Sequence, residues 1–247
     1  MAIGGLPTFK KASDLAGATG LGLLIFGPPG VGKTTLASSA QQSDLGKEAI
    51  LFELDPNGYE SVTDIDIPIW PTPEDGEVTY KDFRDIVDKL VAAKDKGPFK
   101  TIIVDSISAV YYDYILTKLT GSREKQPTQA QWGEANRIMI KLMMDLLSLT
   151  KFGINVIFIG HSMDQQDEES TIKYLAGTPK GRDEILRNIG RVGYYDYDRR
   201  KVDRVLTFKP QRKVEGPKWR QPRSGDQMPL EFTNPTMHDI LKYASAS

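Results

Sequence analysis

The sequence predicts an α/β fold: a mostly parallel central sheet with helices on both faces and antiparallel strands late at an edge. Three observations point there. Short aliphatic runs recur at residues 21–26, 50–54, 101–104 and 154–159, and each stops abruptly at glycine or a polar residue, as a buried strand does on entering a loop. Between them lie longer stretches whose apolar residues fall at helical spacing. Strands that alternate with helices need crossover connections, which make the sheet parallel and cover both of its faces.

The elements follow in order. The first run ends at Gly27-Pro28-Pro29-Gly30, and helix is expected over residues 34–40. The second ends at Asp55-Pro56-Asn57-Gly58. Tyr80, Phe83, Ile86, Val87, Leu90 and Val91 then share one helical face. The third run ends at Asp105, and Ser106 is a natural cap for a helix carrying Ile107, Val110, Tyr111 and Tyr114. Ala135, Ile138, Met139, Leu142, Met143, Leu146 and Leu147 form the cleanest amphipathic helix. Met139, Met143 and Met144 are all expected in the core. After the fourth run, residues 162–170 are polar and carry no clear period. Ile185, Leu186 and Ile189 indicate a short helix, residues 192–197 and 205–208 late strands at an edge, and residues 237–241 a closing helical turn. Tyr194, Tyr195 and Tyr197 are expected to pack on the sheet.

Composition narrows the function. The chain has 247 residues, 39% hydrophobic and 26% charged, which suits a globular α/β domain and excludes collagen-like, coiled-coil and wholly disordered chains. With no cysteine and two histidines, His161 and His238, disulfides, thiolate zinc sites, a cysteine nucleophile and a histidine-rich metal site are excluded. No apolar run approaches the ~20 residues a membrane helix needs. Residues 1–7 lack a charged leader before an apolar core, so no signal peptide and a cytoplasmic address are expected. Net charge is −1, yet residues 199–223 carry ten Lys/Arg against Asp203 and Glu215. That basic block suits either a polyanion surface or a solvated strand and loop.

Gly27-Pro28-Pro29-Gly30-Val31-Gly32-Lys33-Thr34 fits the phosphate-loop pattern G-x-x-x-x-G-K-[ST], between a buried strand and a helix. A phosphate chain must come close to backbone N–H groups, so the loop needs small residues and unusual dihedrals. Lys33 can reach β- and γ-phosphates, and the Thr34 hydroxyl suits Mg²⁺. Nucleotide contacts are expected from Gly27 through Thr35. About seventy residues on, Asp105 at a strand end is expected to hold Mg²⁺ with Thr34. Glu53 and Asp55 share a strand face. Either can polarise an attacking water; Asp55, nearer the strand end, is preferred, with Glu53 the reserve. His161, just beyond the fourth strand, is placed to sense a γ-phosphate.

This order of parts resembles the RecA-like P-loop ATPase core. The resemblance runs from about Leu21 to about Leu230, and within the class the chain looks like the minimal phage-encoded recombinases of single-strand annealing, the Sak-four group. It implies ATP and Mg²⁺ as cofactors, and a Mg-dependent ATPase that is slow without DNA. It also implies a ring or filament with nucleotide at the subunit interface, single-stranded DNA as ligand, a single-strand-binding protein as a further partner, and the host cytoplasm as location. His161 stands where many recombinases carry glutamine. The family's DNA loops correspond to residues 121–128, with Arg123 and Lys125, and to residues 162–178, with Lys173. The second is acidic (Asp164, Asp167, Glu168, Glu169), awkward for a phosphate backbone. Arg199, Arg200 and Lys201 in the basic block join the nucleic-acid candidates. The family also supplies a basic residue in trans to its neighbour's γ-phosphate; Lys180 and Arg182 occupy that region, with Arg220 and Arg223 ranked below. Residues 1–20 are then an N-terminal segment assigned to oligomerisation, 21–230 the ATPase core and 231–247 a C-terminal tail.

Two other classes fit the phosphate loop. A small-molecule kinase would need an acceptor pocket and an arginine-rich lid, which are not evident. A nucleotide-gated, helicase-loader-like binding module would have little affinity for DNA.

Overall fold

The computed structural model describes residues 19–55, 58–166, 171–198, 202–219 and 228–244. In chain order its main elements are β1 (Gly22–Gly27), α1 (Lys33–Ser38), β2 (Ala49–Glu53), β3 (Ile69–Trp70), α2 (Tyr80–Ala93), β4 (Thr101–Asp105), α3 (Ile107–Ala109), α4 (Leu116–Thr120), α5 (Gln129–Leu147), β5 (Asn155–Gln166), β6 (Thr171–Leu175), α6 (Pro179–Asn188), β7 (Arg191–Asp198), β8 (Asp203–Thr207), β9 (Lys218–Trp219), β10 (Glu231–Thr233) and α7 (Met237–Ala244). A π-helical stretch, Val110–Ile115, joins α3 to α4.

Strand order is β10-β8-β7-β1-β5-β4-β2-β3. The six from β7 to β3 are parallel; β8 and β10 add an antiparallel edge, and β9 lies antiparallel on β7. This is the α/β arrangement the sequence predicts, with one refinement: β7 is an interior strand, parallel to β1, and the antiparallel edge begins at β8. Val192, Tyr194 and Tyr195 are buried accordingly, while Tyr197 at the far end of β7 is 40% exposed.

Alternation along each strand divides the core into two layers. Leu24, Phe26, Phe52, Val104 and Phe158 face α2, α5 and α6. Leu23, Ile25, Leu51, Ile103 and Ile157 face α1 and α7. Polar caps fix where the covering helices start. Thr79 and Asp82 close a capping box on α2, Thr128 and Gln131 one on α5, and Thr178 with Pro179 opens α6. Met139 and Met143 are buried as expected, but Met144 is 44% exposed. Neighbouring helix positions point about 100° apart, so Met144 cannot share the face that Met143 occupies.

The polar stretch after the fourth aliphatic run is more regular than its composition suggests. β5 continues to Gln166, and residues 162–166 pair with β6 in a separate antiparallel hairpin. Residues 231–244, set apart by sequence as part of a tail, supply β10 to the sheet edge and α7 to its face, where Met237, Ile240 and Leu241 are buried. Among the described residues, no helix is long and apolar enough to cross a membrane.

Candidate active site

The carboxyl ends of β1, β2, β4 and β5 meet at one cleft of about 540 Å³, where the edge of an open parallel sheet offers a crevice. β1 delivers the phosphate loop. Gly30 and Gly32 sit at φ +76° and +91°, a left-handed backbone that glycine adopts without a steric penalty. Lys33, 5% exposed, turns back so that its Nζ donates to the carbonyls of Gly27 (3.1 Å) and Pro28 (2.7 Å). Burial pulls its pKa down against the opposing pull of Asp105 and Asp55.

Parallel pairing places Glu53 of β2 beside Asp105 of β4. The Thr34 hydroxyl donates to Asp105 Oδ2 at 2.5 Å, which ties the start of α1 to the end of β4. Asp105 is 3% exposed; burial pushes its pKa to about 6, with Asp55 pushing the same way and Thr34 and Lys33 opposing. Glu53 is buried beside it, 5% exposed. Burial, then the charges of Asp105 and Asp55, push its pKa to about 9. Its Oε1 accepts from the Asp55 N–H at 3.2 Å, while its Oε2 is buried with no hydrogen-bond partner among the described residues. Gly58 packs directly on this carboxyl: a Cβ there would lie 2.2 Å from Oε1.

Asp55 is held differently. Ser106 Oγ donates to its Oδ1 at 3.2 Å, and His161 Nε2 lies 2.9 Å from its Oδ2. His161 is paired with Gly27 across β1 and β5. Its N–H donates to Ser108 Oγ (3.1 Å), and its carbonyl accepts from Ala176 N–H (2.8 Å) at the foot of the β5–β6 hairpin.

Oxygens of Glu53, Asp55 and Asp105 lie within 4.8 Å of one another. Like charges that close cannot all ionise unaided, so the cluster has the chemistry of a site completed by a cation. Thr34 and Asp105 form the hydroxyl–carboxylate pair that suits magnesium beside a phosphate loop. The orphaned Glu53 Oε2 and the volume beside Gly30 and Gly32 fit a polyphosphate with its metal.

Other candidates lie apart. Neither Lys180 nor Arg182 lines this cleft. Lys180 is exposed at the start of α6. Arg182 stacks on Tyr174 at 4.5 Å and pairs with Glu215 at 3.3 Å, leaving its side chain 12% exposed. Arg123 faces Asp113 at 3.9 Å, Lys173 faces Asp196 at 3.7 Å, and Lys125 is exposed. Arg199, Arg200 and Lys201, the acidic Asp167, Glu168 and Glu169, the N-terminal segment 1–18, and Arg220 and Arg223 lie outside the described residues.

Sequence reasoning missed Gly58, Glu60, Ser61 and Arg204, which all line the cleft. It found Ser106 only as a cap; that bond is made, with Ser106 Oγ accepting from Ala109 N–H, and the second bond to Asp55 has no local sequence signal. Arg204 was visible only as one charge in the basic block.

A loop of this pattern, between a central strand and a helix and facing acids from two neighbouring strands, defines a P-loop nucleotide-binding domain. A family model described as "AAA domain" matches residues 19–217, and the chain belongs to that family. The crystal structure of the RadB recombinase is similar at 18% identity over 81% of this chain and 85% of that one, with a TM-score of 0.45. No curated protein matches the sequence.

Proposed function

We propose that the chain is a RecA-like, magnesium-dependent ATPase of DNA recombination, which assembles with nucleotide between protomers, binds single-stranded DNA and promotes annealing or strand pairing. The observation that carries the ATPase reading is the meeting of Lys33, Thr34, Asp105, Asp55 and His161 at one cleft. Within the RecA-like class, the order of motifs over residues 21–230 favours the minimal phage annealing recombinases, which would act in the host cytoplasm.

The chemistry follows from what each side chain can do. Lys33 exchanges the carbonyls of Gly27 and Pro28 for β- and γ-phosphate oxygens, a stronger, charge-assisted bond. Thr34 and Asp105 would hold magnesium, which supplies charge neutralisation on the phosphates when bound. Asp55 takes the proton of the attacking water, its two oxygens oriented by Ser106 and His161. Burial and the charges of Asp105 and Asp55 push the Glu53 pKa up, which favours its neutral form beside them. His161 ties Asp55 to Ser108 and, through Ala176, to the β5–β6 hairpin; a γ-phosphate that draws His161 away disturbs that hairpin. In trans, exposed Lys180 is better placed than Arg182 to reach a neighbour's γ-phosphate.

Support for DNA binding is the surface where the 121–128 loop and the hairpin carry Arg123, Lys125 and Lys173. Tyr112, 37% exposed, and Trp132 lie in one aromatic group, 6.4 Å between ring centroids. Partly exposed rings suit stacking on single-stranded bases. Anisotropy with a labelled single strand, with and without ATP at two salt concentrations, tests this. ATP-dependent binding that weakens with salt is expected. ATP hydrolysis without DNA binding at low salt would leave the ATPase and refute the recombination reading.

A further inference from the structure

A second cavity, of about 310 Å³, lies apart from the phosphate loop and shares no lining residue with the catalytic cleft. Its volume falls at the low end of the roughly 300–1,000 Å³ typical of small-molecule sites. The walls come from the loop into α2, the π-helical stretch 110–115, α4 and the loop that follows α4. A π-helical turn inside a helix is frequent at functional sites. Here it puts Asp113 and Tyr114 into one wall of the cavity.

Three cations line this cavity, each from a different element: Lys81 of α2, Lys118 of α4 and Arg123 of the loop. Two acids oppose them, Glu77 and Asp113. Arg123 meets Asp113 at 3.9 Å, with the two side chains 61% and 37% exposed, a loose pair that contributes little. Among the described residues, neither Lys81 nor Lys118 is in an ion pair. Lys118 lies over the Tyr80 ring at 4.7 Å, which holds its ammonium in the wall without committing its N–H donors to an acid. Thr117, in the same wall, carries a hydroxyl with no hydrogen-bond partner among the described residues. The N-terminus of α2 is not what makes the site, because Thr79 and Asp82 already close a capping box there.

Cations supplied by three elements suit a terminal phosphoryl group, which at pH 7 carries about −1.5 to −2 charge on three acceptor oxygens. The Arg123 fork can take two of those oxygens, while the lysines act as point charges. Glu77 and Asp113 set the upper limit. A chain of phosphates would crowd its charge against them, so one phosphoryl group fits and a triphosphate does not. Tyr114, lining the same cavity, offers a ring to a flat group attached to the phosphate. We propose that this cavity is a second ligand site, separate from the catalytic cleft, which binds a ring-bearing phosphate monoester through Lys81, Lys118 and Arg123. The monoester is the shared chemistry of a small metabolite and of the 5′ end of a strand, and the experiment separates the two.

The test is calorimetric titration of the whole chain with phenyl phosphate, first with the catalytic cleft empty and then with it filled by magnesium and a non-hydrolysable ATP analogue. Saturable binding is expected in both states, and phenol, which lacks the anion, should bind about tenfold or more weakly. Lys118→Met keeps the stem and removes the charge; it should weaken phenyl phosphate about tenfold, the scale of a lost charge-assisted hydrogen bond. Glu77→Gln removes an opposing acid and should tighten it by about threefold. Both residues are exposed, so neither substitution opens the core, and the opposite signs separate a charge effect from damage to the fold. Binding that vanishes when the cleft is filled would place the anion at the phosphate loop and overturn the inference. Binding unaltered by both substitutions, or absent at millimolar phenyl phosphate, also overturns it. Competition with a single strand, with and without a 5′-phosphate, names the source. Displacement by the phosphorylated strand alone assigns the site to a strand end, and displacement by neither assigns it to a small metabolite. Equal displacement by both strands would make it a backbone contact and overturn the monoester reading.

Discussion

The carboxyl edge of the parallel strands and the flank formed by the β5–β6 hairpin and β7 are both rich in charge, and they handle it in opposite ways. At the edge, three carboxylates crowd within 4.8 Å and a buried lysine is bonded only to carbonyls. The acids are concentrated, with only the Asp55–His161 contact to offset them, at a cost in desolvation. On the flank, the cations are spent locally: Lys173 on Asp196, Arg182 on Glu215 and Tyr174. A region that holds unpaired charge at low exposure is built for a ligand, whereas a region whose charges pair off is first of all a surface. The difference is one of pairing, which a count of lysines and arginines along the sequence does not reveal.

The sharpest way to break that contrast is at Lys33. Lys33→Ala removes the buried cation of the phosphate loop and should weaken ATP binding by about 100-fold or more, with turnover lost; titration and phosphate release measure both. Retained hydrolysis would mean that the edge is not the active site. Next in size is Asp55→Asn, which should bind ATP within a few fold of the unaltered chain yet hydrolyse it about 100-fold more slowly or worse, the usual scale for a lost general base. Glu53→Gln should be the mild partner of this pair, because burial and its acidic neighbours favour the protonated form of Glu53. If Glu53→Gln stops turnover and Asp55→Asn does not, the two acids exchange roles.

The raised pKa values also predict how the protein without nucleotide or divalent ions responds to pH. A carboxyl that binds its proton more tightly when folded makes the folded state hold more protons than the unfolded one, so stability falls as pH rises. For Asp105 the window runs from the ordinary 3.8 to about 6, and for Glu53 from 4.5 to about 9. Urea midpoints should therefore decline from mildly acidic to alkaline pH. Glu53→Gln should flatten the upper part of that decline, and a slope unchanged by this substitution would show that Glu53 ionises normally.

What the sequence made legible, and what it hid, follows from the range of the interactions. The phosphate loop is contiguous, and Asp105 and His161 announce themselves as polar residues ending buried runs, so strand-end reasoning alone brings them to one edge. Glu53 and Asp55 were both visible, but their division of labour rests on Gly58 packing on one carboxyl and on Ser106 and His161 holding the other. Arg204 was hidden because its position depends on β8 pairing with β7, two strands beyond the loop. Met144 was misread because a run of methionines obscures a turn of about 100° per residue. The segment 231–244 reads as a tail, since three residues of β10 carry too little periodicity to announce a strand.

The smallest expected effect separates the two cations at the start of α6. Arg182 is packed: its guanidinium lies over Tyr174 and against Glu215. Glu215 is about half exposed, so solvent screening limits the pair, and the ring contact adds a similar modest amount; together they give about 1 kcal/mol. Arg182→Ala should lower the urea midpoint by that amount. Lys180, exposed and one turn from no such partner, should change stability by less than about 0.5 kcal/mol when replaced by alanine. A trans role inverts this ranking for activity. Lys180→Ala would then hydrolyse ATP poorly despite normal stability, and mixing it with Lys33→Ala would restore part of the rate, because one of the two kinds of mixed interface pairs an intact Lys33 with an intact Lys180. Absence of rescue at every mixing ratio, with Lys180→Ala fully active alone, would remove Lys180 from the site and leave α6 a structural neighbour of the hairpin.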